Sequence, residues 1–377
     1  MKCVILAGGI GNTLWPLSRR NYPKQFLNIC EGRSLLQDTI VRNLPFADEF
    51  IIVTNESYKE IMESQLKAFQ GLRYRIIYES KNCGTFAGMY FGEFIEKYGE
   101  EVVGWKSSSL DRFPVLIKFI DAKNALSIQI HPDDDYALEN ENEFGKNEMW
   151  YVVDCEPGAY LYCGLKQYAS KEEIRERIEN NTITEILNKI EVHKDDCVMV
   201  KAGTIHAIGA GILICEIQQN SNCTYRMYDY DRKDKFGNRR ELHIDKAIDV
   251  VDVKKYKPFV SGNSDVPEGA ELLVSCKYFE CYKYVLGESV YTDDSSDKDI
   301  CNNDDGNSDI VAKPATDRIN ISVDTMSFRS IIVIEGSGKI TVGENEMDYR
   351  AGDSFFVTAG EKVVSVEGTG VIIVTKV

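Results

Sequence analysis

The strongest constraint on the fold is a change of rhythm near residue 112. Up to about residue 98, apolar stretches (KCVILAG, EFIIVT, YRIIYES) alternate with helical patterns (SLLQDTIVRNL, YKEIMESQLKAF, GMYFGEFIEKYG). Such alternation predicts a parallel α/β unit. Beyond residue 112 come short apolar runs separated by Gly, Asp and Pro turns, the texture of a barrel or sandwich. One helical stretch, KEEIRERIENNTITEILNKI, interrupts it. At 377 residues the chain can bury two or three cores.

Charge excludes some partners. A formal net charge of -16 disfavours nucleic acid and anionic membrane surfaces, both of which reward a basic face. No apolar run approaches the roughly 20 residues of a membrane span, and MKCVILAGG is too short for a signal-peptide core. Eleven cysteines are scattered singly, several inside apolar runs (Cys3, Cys155, Cys215), which predicts reduced thiols and a cytoplasmic protein. The segment YTDDSSDKDICNNDDGNSD is acidic and nearly free of large apolar groups, so a solvated insert is expected near 290–310. The strand-like sequence after it holds no His and is not expected to bind metal.

Two motifs carry chemistry. The first, LAGGIGNTLWPLSRRNYPKQF, places a glycine loop between a strand and a helix-like stretch, where backbone N–H groups can approach a phosphate. The second lies in LSIQIHPDDDYALENENEFGKNEMWYVV. Successive strand side chains point to opposite faces, so Ser127, Gln129 and His131 share one face while Ile128 and Ile130 share the other, ordinary core. Burying the polar row without partners is costly, so those groups either reach solvent or converge on something. Asp133–Asp135 read as a turn. Glu148 precedes an apolar run, and His206 sits in VKAGTIHAIGAG before another. Two imidazoles, a carboxylate and an amide oxygen form a donor set suited to one zinc ion, with a coordination position left for water or substrate. Arg226 offers a permanent cation, or else pairs with Asp229 or Asp231.

The glycine-loop string resembles the N-terminus of mannose-1-phosphate guanylyltransferases over about 95 residues. Thr13 stands where that family has Arg, and the family's later metal-binding and sugar-binding portion is replaced by β texture. The resemblance makes Lys24 a candidate phosphate contact and the segment an expected non-catalyst. From about Arg112 onward, FPVLIKFIDAKNALSIQIHPDD, GKNEMWYVV, VKAGTIHAIGAG, CEIQQNS and TYRMYDYDR together resemble type I phosphomannose isomerase, a zinc-dependent cupin enzyme. The strand-rich front of that family, with its Trp-Gly-Gly segment, is not visible here.

That second resemblance implies zinc ligands Gln129, His131, Glu148 and His206, an essential Arg226, and pocket residues Lys118, Ser127, Lys146 and Glu216. Lys118, Ser127 and Lys146 would hold the substrate phosphate. Glu216 would carry the proton, with a zinc-bound water as the rival base. The expected architecture is mainly β, with two cupin or jelly-roll domains preceded by a truncated Rossmann-like α/β segment. Its boundaries are 1–98, 112–270 and 271–377. The expected activity interconverts mannose 6-phosphate and fructose 6-phosphate through a cis-enediol. Two rivals remain: a guanylyltransferase or bifunctional fusion, and a non-catalytic cupin that binds metal or sugar phosphate without turnover.

Overall fold

The computed structural model describes residues 2–7, 22–30, 32–55, 58–78, 88–108, 110, 112–233, 237–262, 265–287 and 317–377. The glycine loop with Thr13 and the acidic insert lie outside them. The chain divides into two compact units, Met1–Tyr98 and Gly99–Val377.

The first unit is α/β. Strands β1 (Lys2–Leu6), β4 (Glu49–Thr54) and β5 (Tyr74–Tyr78) pair in parallel in the order β1–β4–β5, and β2 (Asn28–Cys30) with β3 (Arg33–Ser34) forms a small hairpin. The strands alternate with α1 (Leu35–Asn43), α2 (Lys59–Leu66) and α3 (Phe91–Tyr98). Ser34 starts α1 with a reciprocal capping box to Gln37, which satisfies two donors the first turn would otherwise leave open. Leu36, Ile40, Ile52 and Met62 form a dry core with Phe26. Lys24 is solvent-exposed in a 3-10 turn.

The second unit opens with α4 (Glu100–Val103) and α5 (Trp105–Ser108), then builds two facing sheets. The four-stranded sheet runs β11–β8–β13–β6, from Cys197–Val200, Glu148–Cys155, Ile212–Gln219 and Val115–Ala122. The five-stranded sheet runs β10–β9–β12–β7–β14, from Leu187–Glu191, Tyr160–Leu165, His206–Ile208, Ile128–Ile130 and Tyr225–Tyr228. Trp150, Val152, Leu161, Ile208 and Ile214 pack between them. Ile128 and Ile130 do turn to the other face, where they join Ile174 of α7 (Lys171–Glu179) and Ala247 of α8 (Ile244–Val250) in a separate cluster.

Two local expectations are corrected. KEEIRERIENNTITEILNKI is not one helix: α7 stops at Glu179, and Leu187–Glu191 is an edge strand bonded to β9. Asp133–Asp135 is not a simple turn either. Asp133 accepts the Tyr136 N–H at 3.0 Å and caps α6 (Asp134–Glu141). Asp134 then fastens the following loop, accepting from Gly145 N at 2.9 Å and from Gln219 Nε2 at 3.1 Å. Gly145 is required there, because a Cβ would lie 2.4 Å from the Asp133 carbonyl carbon.

The remaining strands form a seven-stranded sheet. It comprises β15 (Ala270–Ser275), β16 (Glu280–Leu286), β17 (Arg318–Val323), β18 (Arg329–Val342), β19 (Asn345–Arg350), β20 (Ser354–Val357) and β21 (Lys362–Lys376). Strand β17 alternates buried isoleucines and valine with exposed polar groups, the period of a half-covered strand. Residues 102–106 strap onto this sheet through backbone bonds, Phe328 N to Val103 O at 3.2 Å and Ala359 N to Val102 O at 2.9 Å.

Candidate metal centre

The facing sheets bring together side chains far apart in sequence. His206 on β12 stands opposite Gln129 on β7, and Gln129 opposite Arg226 on β14. Directly opposed residues share a face, so these three form one row across the five-stranded sheet. On the other sheet, Glu148 is opposite Gln218, while Trp150, Glu216 and Lys118 form the neighbouring row. His131 follows β7 directly, on the same parity as Gln129.

His131, Glu148 and His206 converge at the centre. One donor atom from each lies within 4.8 Å of the others, and all three residues are buried. The His131 and His206 rings are 4.7 Å apart, and the Trp150 indole meets His206 edge-on at 5.4 Å. Each imidazole has its tautomer set by a backbone carbonyl. His131 Nδ1 donates to Cys223 O at 3.0 Å, and His206 Nδ1 donates to Thr204 O at 2.8 Å. A carbonyl only accepts, so both protons sit on Nδ1 and both Nε2 lone pairs point at the centre. There Nε2 of His131 lies 3.3 Å from Glu148 Oε2, and Nε2 of His206 lies 3.4 Å from Oε1.

Those four atoms have no hydrogen-bond partner although they are buried. Two lone pairs and a carboxylate aimed at one another repel unless a cation lies between them, so the residues present fit a divalent ion. Electrostatics agree. Burial lowers the His131 pKa, and burial followed by the His131 charge pushes His206 down to about 3, so both rings are neutral and ligand-competent at pH 7. Burial opposes ionisation of Glu148, but its interactions with His131 and with the Lys146 ammonium outweigh it and hold the carboxyl well below its usual range. Lys146 Nζ lies 3.0 Å from Glu148 Oε2, outside hydrogen-bonding geometry.

The remaining sequence candidates separate into two groups. Lys118 donates to Glu216 Oε1 at 2.9 Å and also to Gln218, while Trp150 Nε1 donates to Glu216 Oε2 at 3.2 Å. Lys118 and Lys146 thus direct their ammonium groups at carboxylates. Ser127, Gln129 and Arg226 instead line a cavity of about 470 Å³. Arg226 pairs with neither Asp229 nor Asp231. Its Nη1 donates to Glu241 O at 2.9 Å, and its backbone N–H donates to His243 Nδ1 at 3.0 Å. Asp229 is taken by Arg232 and Arg240, and Asp231 by Arg239. Sequence reasoning did not single out Arg232 and Arg240 at the cavity. The charge density of DYDRKDKFGNRREL was the available signal.

A two-sheet β fold enclosing a buried His/Glu/His cluster able to hold a metal defines a cupin-type protein. Among known proteins, the chain is 37% identical over 268 residues to mannose-6-phosphate isomerase ManA of Bacillus subtilis, covering 70% of this chain and 75% of that one. The crystal structure of mannose 6-phosphate isomerase from Bacillus subtilis matches with a TM-score of 0.64 at 31% identity, over 78% of this chain and 84% of that one. The chain belongs to the mannose-6-phosphate isomerase family. The family model for the mannose-6-phosphate isomerase cupin domain matches residues 317–377, and that for nucleotidyl transferase matches residues 2–136. The latter match runs across β6 and β7, yet both strands are hydrogen-bonded into the facing sheets. Mannose-1-phosphate guanylyltransferase of Salmonella muenchen is 47% identical over 92 residues, 24% of this chain and only 20% of that protein.

Proposed function

We propose that this chain interconverts mannose 6-phosphate and fructose 6-phosphate, using one zinc ion held by Gln129, His131, Glu148 and His206. The observation that carries this reading is the pair of carbonyl-locked imidazoles aiming bare Nε2 atoms at a buried carboxylate that accepts no hydrogen bond. It is supported by relatives named mannose-6-phosphate isomerase along most of the chain. When bound, the zinc ion supplies Lewis acidity, offsetting negative charge on a substrate oxygen.

The chain's own groups account for the proton. Aldose–ketose exchange moves a proton between C2 and C1 through a cis-enediol. Glu216 is buried, with one donor fixed on each oxygen: Trp150 Nε1 on Oε2 and Lys118 Nζ on Oε1. Each oxygen keeps a further lone pair, so the carboxylate is oriented yet able to accept a proton. Arg226 brings a permanent cation to the cavity beside Gln129. Leu161, Cys163 and Ile208 make the surrounding wall apolar, which strengthens each of these interactions.

Zinc content and turnover of mannose 6-phosphate, measured on the same preparation, test the reading. One ion per chain, and loss of fructose 6-phosphate formation on chelation with recovery on adding zinc, are expected. Fully zinc-loaded protein that forms no fructose 6-phosphate would refute it.

A further inference from the structure

We propose that Arg232 and Arg240, clamped side by side on Asp229, are the seat of the substrate's phosphate. This rests on the isomerase reading of the same cavity and adds where the dianion binds.

The cavity that holds Ser127 and Gln129 is lined by four cations, Arg226, Arg232, Arg240 and Lys123, against one carboxylate, Asp121. That is a local concentration of positive charge in a chain of formal net charge -16. Asp229 is only 5% exposed, and its single carboxylate holds two guanidinium groups, leaving the trio with one net positive charge. Arg240 donates Nε to Oδ2 at 2.6 Å and Nη2 to Oδ1, which leaves Nη1 on the far side of the guanidinium. Arg232 donates Nε at 3.0 Å and also Nη2 to Oδ1, and Nη1 to Ala125 O at 2.7 Å, so each of its nitrogens already holds one partner. Both side chains remain partly open to solvent, at 38% and 53% exposure, so neither is buried away from a ligand.

Pre-fixed guanidinium groups suit a tetrahedral dianion, because the N–H bonds not engaged by Asp229 and Ala125 can meet phosphate oxygens and little side-chain freedom remains to be lost. The competing cations are engaged elsewhere, Lys118 on Glu216 and Lys146 beside Glu148. Arg226, two strands from His206 in the row through Gln129 and so about 10 Å away at ordinary strand separation, lines the same cavity as Arg232 and Arg240.

The test is calorimetric titration of the full, zinc-loaded chain with inorganic phosphate, beside a turnover assay. Arg240→Gln and Arg232→Gln are each expected to weaken phosphate binding roughly tenfold or more, as loss of a charge-assisted contact does. Arg240→Lys, which keeps the charge but loses the fork, should fall between. Arg175→Gln removes the same charge from the exposed face of α7 and should bind as the wild type does. Melting curves identify any variant that fails to fold, in which case Arg240→Lys decides. The proposal is overturned if the folded arginine variants bind phosphate like the wild type, if Arg175→Gln weakens it equally, or if the wild type binds no phosphate at millimolar concentration. Failure of the isomerase reading would look different: phosphate bound, its affinity dependent on Arg240, and no fructose 6-phosphate formed.

Discussion

The two β regions of the second unit are built from the same kind of strand but fill their interiors differently. Between the sheets of residues 115–228 lie His131, Glu148, His206, Glu216 and Gln218, none more than 3% exposed. The core of the 270–376 sheet is mainly apolar, with Tyr284, Ile321, Ile331, Val364 and Ile372 at its centre, and its buried Arg329 is hydrogen-bonded to Ser327, Phe328 and Asp324. Each interior polar group of the first region costs desolvation, and four atoms of His131, Glu148 and His206 have no hydrogen-bond partner. A folded protein tolerates that where a ligand completes the set. The second region leaves one such atom among its described residues, Ser365 Oγ, and serves stability.

The most damaging way to probe this contrast is to cut the polar centre. Glu148→Ala is expected to abolish metal retention and reduce turnover by about a thousandfold or more, and to destabilise the fold by about 3–5 kcal/mol, because Lys146 is left as an uncompensated buried charge. Metal analysis and chemical denaturation check both parts. His206→Ala should likewise lose metal and rate together.

Arg226→Ala should separate the two: metal retained, turnover down by about a hundredfold, as for loss of a positioned electrostatic group. Equal loss of zinc from the His206 and Arg226 variants would remove the distinction between ligand and electrostatic helper. In the apolar region, Ile372→Ala is expected to cost about 2–5 kcal/mol in denaturation while metal per folded chain stays unchanged. Metal loss in that variant would show that the two interiors are not independent.

The most gradual effect is on pH dependence. The metal-free folded chain holds His206 neutral down to about pH 3, whereas the unfolded chain protonates it near 6.5. Its stability should therefore be fully present above pH 6.5 and decline as pH falls toward 3, by up to ~1.4 kcal/mol per unit from this group. The lowered Glu148 acts in the same direction below its ordinary 4.5, since its folded carboxylate resists protonation. Bound metal should keep that slope and carry it to lower pH, because a liganded imidazole resists protonation further, and melting curves with and without zinc read it directly.

Much of this was visible in the linear chain. Period-two alternation marked the strand that ends at His131, and it put Ile128 and Ile130 on the opposite face. Errors arose where local pattern and tertiary context disagreed. LNKIE follows a good helix and contains isoleucine at helical spacing, yet an edge of β9 was available to pair with it. The acidic triplet looked like a turn because capping by Asp133 shows only once α6 exists.

By itself, the sequence determined which residue types were present and on which side of each strand they fell, because strand geometry makes that a local matter. Only the tertiary structure decided that Thr204 O and Cys223 O set both imidazole tautomers. It also decided that Lys118 turns to Glu216, and that Arg232 and Arg240 line the cavity. Those outcomes depend on which partner lies nearest once distant strands are packed, and charged side chains with several possible partners carry no record of that choice in their order along the chain.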